Sequence, residues 1–146
     1  MTTHDTLTQT LLTKPYHIID ILPDQVPKDS DGQFFAVEKY YRMPEQLQVL
    51  RRRFAGILLK LNCYYDLQVC FMPGEDWETN PQPLQLVDRL VEMPENGFMR
   101  ILLESEEAMI DIDGCDTYMT IYGAGEALLL RVKKLAEAEG LFVRQG

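Results

Sequence analysis

Residue types that most often build catalytic or zinc sites are scarce in this chain. It holds two serines, Ser30 and Ser105, two histidines, His4 and His17, and three cysteines. Neither serine lies in a Gly-x-Ser-x-Gly elbow, and no spacing supports a Ser/His/Asp arrangement with His17. Two histidines, one near the chain end, cannot make a usual zinc site; His17 reads as a core or rim residue beside Ile19 and Ile21. Cys63, Cys70 and Cys115 form no Cys-x-x-Cys pair. A reactive thiolate needs a cation or a helix N-terminus nearby. Cys63 instead follows a predicted helix, Cys70 is mid-strand, and Cys115 lies between Asp113 and Asp116. These thiols are read as structural or incidental.

Targeting signals are missing as well. Residues 1–13 have no basic residue and no long apolar run, so the n-region and h-region of a secretory signal are lacking. Apolar stretches fall far short of the ~20 residues needed to cross a bilayer. An odd cysteine count then fits reduced thiols, and the expectation is a cytoplasmic protein with the general look of a small bacterial one. The Gly123-Ala-Gly125 stretch lacks the third glycine of a dinucleotide fingerprint, because Leu128 occupies that place. No cofactor is expected.

Positive charge is also in short supply. Fourteen Lys and Arg face 23 Asp and Glu, for a net charge of −9. Such an excess repels nucleic acid and anionic membrane, so neither is expected as a partner. The one basic cluster, Arg51-Arg52-Arg53, is spread by ~100° per residue on a helix, so its members cannot all face one ligand. One or two are expected to pair with Glu38, Glu45 or the acidic hairpin, with the rest solvated.

What is present fits an ordinary globular domain: 146 residues, 46% hydrophobic and 25% charged. Residues 1–14 read as a possibly frayed segment with a short helix at 3–13, and 16–22 as a strand. Residues 33–42 fit either periodicity, and their aromatic content tips the reading to strand. Residues 44–62 make the clearest helix, with Pro44 at its first position and an apolar stripe at Leu47, Leu50, Phe54, Ile57 or Leu58, and Leu61. A strand at 66–72, a loop at 73–83 and a helix through Val91 follow. Strands at 98–104, 108–112 and 117–122, a helix from Gly125 to Gly140 and a last strand at 141–144 complete the order. The successive hairpins predict an α+β single domain, a largely antiparallel sheet with about three helices packed mainly on one face.

Two surfaces stand out. The stretch 104–116 carries six carboxylates and no base. Its Asp111, Asp113 and Asp116 could hold Mg²⁺ or Ca²⁺, but Tyr122 occupies the twelfth place where a calcium loop needs Glu. Asp113-Gly114 is also a good hairpin turn, the simpler reading. The second surface is the loop around Trp77, where Asp76, Trp77 and Glu78, with Glu106 and Glu107 of the hairpin, are candidate partner contacts. The leading expectation is a non-catalytic interaction or accessory domain, binding a protein partner or a second copy of itself. Alternatives are a small-molecule or divalent-cation domain, or an enzyme, using Asp111 and Asp113 with Tyr118 or Tyr122, and an acidic inhibitor of a basic partner.

Overall fold

The computed structural model describes residues 3–72 and 74–146. Met1, Thr2 and Pro73, which belong to the predicted segments 1–14 and 73–83, lie outside the described residues. In chain order the elements are α1 (Thr3–Leu11), β1 (Tyr16–Asp20), α2 (Gln33–Tyr41), α3 (Pro44–Leu61), β2 (Gln68–Cys70) and β3 (Glu78–Thr79). Then come α4 (Pro83–Val91), β4 (Phe98–Leu103), β5 (Ala108–Asp113), β6 (Met119–Tyr122), α5 (Glu126–Ala138) and β7 (Phe142–Gln145). The strands form one sheet in the order β3-β2-β4-β5-β6-β1-β7. Every pairing is antiparallel. The architecture is α+β.

Alternation along the central strands decides what the sheet buries. Met99, Ile101 and Leu103 of β4, Ala108, Ile110 and Ile112 of β5, and Met119 and Ile121 of β6 all point to one face. There they meet Phe54, Ile57 and Leu61 of α3, Leu86 and Leu90 of α4, and Leu128 and Val132 of α5. A slip of one residue in any of these strands would turn its whole apolar set outward, so packing fixes the register. No helix among the described residues is long and apolar enough to cross a membrane.

The structure corrects the sequence reading in its helices and at β3, a strand within the expected loop 73–83. It has five α-helices among the described residues rather than about three. One of the helices beyond that count is α1, already expected as a short helix at 3–13; it closes part of the opposite sheet face, with Leu11 against Leu102 and Met109, and Leu7, Trp77 and Tyr122 around them. The other is α2, where a strand was expected. Asp31 and Gly32 both adopt left-handed backbone, φ 56° and 79°, and turn the chain directly into the helix. Both periodicities fit Val37 and Tyr41, so composition was a poor arbiter.

Candidate functional site

The acidic hairpin separates the three carboxylates singled out as metal ligands. Arg100 and Asp111 face each other across β4 and β5. Nε and one terminal nitrogen of Arg100 donate to the two Asp111 oxygens at 2.7 and 2.8 Å. This bidentate bond raises the guanidinium pKa. Asp111 is therefore committed to a cation on the sheet surface. Asp113 and Asp116 meet Cys115 instead, with one ligand atom of each within 4.8 Å of the others.

Chemistry at that turn favours holding protons. The Cys115 thiol donates to Asp113 at 3.1 Å, and the Cys115 amide donates to the same oxygen at 3.2 Å. Chiefly through the bond to Asp113, the thiol pKa is pushed up to about 11. Burial, then the Asp113 charge, raises the Asp116 carboxyl. Burial, then the Asp116 charge, raises Tyr118. Replacing Asp113 with alanine should lower the Cys115 pKa toward its ordinary value. Because a less basic thiolate is also a weaker nucleophile, alkylation near pH 8 should quicken by up to about tenfold. Mass spectrometry of the Cys115 peptide measures this rate, and an unchanged rate would show that Asp113 does not hold the proton.

Trp77 lies half-buried, its ring stacked on His4 with centroids 5.1 Å apart, and packs against the α1 cluster. Asp76, Glu78, Glu106 and Glu107 are exposed. Glu104 reaches back to His4 at 3.2 Å, so the acidic segment also touches α1. Tyr122 packs beside Tyr16 with ring centroids 5.7 Å apart, one strand away from Asp111.

Comparison with protein-family models, with curated proteins and with solved structures finds no match. The function must be read from the chain's own geometry.

Two features of that geometry were missed in the sequence. The first is α2, none of whose residues is fully buried. Its half-buried side is Phe34, Glu38 and Tyr41, while Phe35 is 69% and Tyr40 49% exposed. Val37 and, beyond the helix, Met43 and Val49 are also exposed. Residues 33–53 carry five basic residues against two acidic ones, in a chain of net charge −9. The helix thus displays exposed apolar side chains with one Lys and one Glu of its own, and because Arg51 is buried the basic surplus beside it rests on Arg42, Arg52 and Arg53.

The second feature is Arg51. It is 5% exposed, whereas Arg52 and Arg53 beside it are exposed. One terminal nitrogen donates to the Met93 carbonyl and the other to the Gly114 carbonyl, the latter at 2.7 Å. Burial pushes its pKa below the ordinary value. Spacing held the signal: Leu47, Arg51, Phe54 and Leu58 follow one another at four, three and four residues, so Arg51 sits on the apolar stripe of α3. It lines a groove of about 340 Å³ together with Arg42, Leu47, Val91, Met93 and Glu95.

Proposed function

We propose that the protein is a non-catalytic interaction domain whose contact surface is α2 and the adjoining start of α3. The observation that carries this reading is the orientation of α2. A short helix gains most of its stability by burying an apolar face, yet this one holds Phe35, Val37 and Tyr40 toward solvent. Large aromatic side chains are the residues that most often anchor protein interfaces. The surrounding basic residues favour a partner surface with an apolar centre and an acidic rim. A second copy of this chain, acidic over the rest of its sequence, meets the same electrostatic requirement. The catalytic reading has less support, since Arg100 already neutralises Asp111.

The test compares the wild type with a Phe35→Ser, Tyr40→Ser double variant. Native mass spectrometry at roughly 10 μM, with affinity capture from the native extract, should give a stoichiometric complex for the wild type. The double variant should bind at least about 100-fold more weakly, while its unfolding midpoint stays close to that of the wild type. A wild-type monomer with no stoichiometric partner, or a complex indifferent to both substitutions, refutes the reading.

A further inference from the structure

We propose that the groove beside Arg51 binds a small zwitterionic carboxylate of the apolar amino-acid type. The proposal starts from a charge imbalance. A guanidinium taken out of water is stable when a counter-charge and hydrogen bonds replace its hydration. Arg51 is 5% exposed, but both its hydrogen bonds go to neutral carbonyls, Met93 and Gly114. No ion pair among the described residues includes it. A guanidinium has five N–H donors, and the two bonds use one on each terminal nitrogen. A guanidinium bonded to no carboxylate therefore lines the wall of an open groove.

The remaining lining selects the ligand. Arg42 lines the same groove, so a second guanidinium accompanies the first. Its partners are Glu38, 3.7 Å away on an exposed helix surface where water screens the contact, and the nearby charge of Asp116. Two guanidiniums favour a carboxylate, which can accept from both. Leu47, Val91 and Met93 supply an apolar wall for an aliphatic body. Glu92 and Glu95 also line the groove, which disfavours a dianion and favours an ammonium group on the same molecule. A volume of about 340 Å³ lies at the lower end of small-molecule sites and suits a metabolite of amino-acid size rather than a nucleotide. The groove shares Arg42 and the start of α3 with the proposed contact surface, but its test uses neither Phe35 nor Tyr40 and reads ligand shifts on the chain alone, so either reading can fail without the other.

The experiment is a titration of the ¹⁵N-labelled full chain with L-leucine, N-acetyl-L-leucine, L-leucinamide and inorganic phosphate, each to about 10 mM. Leucine should shift amide resonances of residues 42–51, 91–95 and 114–115 saturably. Acetylation removes the ammonium and amidation removes the carboxylate, so each should weaken binding at least about tenfold. Arg42→Gln, a change at an exposed position, should weaken leucine by about five- to tenfold without altering the fold. Absence of saturable shifts with leucine overturns the proposal. So does equal binding of either blocked derivative, a stronger response to phosphate, or leucine affinity unchanged in the Arg42 variant.

Discussion

Replacing Arg51 with alanine should destabilise the protein by about 3–5 kcal/mol, measured by urea unfolding at neutral pH. The guanidinium joins three segments: its own helix α3, the 93–97 connection after α4, and the β5–β6 turn. Its loss leaves two carbonyls short of donors and removes the aliphatic stem from a packed position. Arg51→Met separates these contributions. Methionine keeps most of the stem but neither bond nor charge, so the cost should fall to about 1–3 kcal/mol. Lowering of the Arg51 pKa by burial shows that desolvation works against the charged form. A methionine variant more stable than the wild type would mean that desolvation outweighs both hydrogen bonds, and the bridging role would have to be abandoned.

Gly114→Ala should be comparably severe, at about 3–4 kcal/mol, because the obstacle is backbone. A Cβ at Gly114 would overlap the Pro94 carbonyl oxygen and lie 2.9 Å from that of Glu95. Neither can rotate aside as a side chain would. The Gly114 amide also donates to Gly97 at 2.8 Å, and its carbonyl receives the Arg51 bond. Any shift that admits the methyl group disturbs both. Gly125→Ala is the control: a Cβ there meets nothing within 4 Å, and stability should change by less than about 1 kcal/mol. Because Arg51 and Gly114 secure one junction, the double variant should lose less than the two single losses combined. Full additivity would show that they act independently.

Legibility in the sequence followed the strength of each local pattern. The long stripe of α3, the alternation of β4 and β5, and the Asp113-Gly114 turn were all readable, because each combines one periodicity with its own stop signal. Residues 33–41 were not readable, since apolar side chains facing solvent cannot announce their orientation by hydrophobic spacing. Two-residue β3 was invisible for another reason: it is defined by pairing with Gln68 and Val69 rather than by its own composition. At the candidate site, Asp113 and Asp116 could be placed at one turn, but Asp111 was separated from them by its cross-strand partner Arg100, a contact spanning the hairpin. Arg51 was legible in principle. Taken as one of three adjacent arginines it looked like surface charge; placed against the Leu47–Leu58 stripe it falls inside.

The position of β1, between two strands that follow it far along the chain, bears on how the chain acquires its structure during synthesis. Tyr16–Asp20 lies between β6 and β7, and its Asp20 pairs with Arg144, 124 residues later. As the nascent chain leaves the ribosome, β1 emerges about a hundred residues before either of its neighbours. Until then its backbone donors and acceptors must be satisfied by water or a chaperone, while β4 and β5 can already form a hairpin. Closure of this half of the sheet is consequently a late, long-range event, of the kind that makes folding slow.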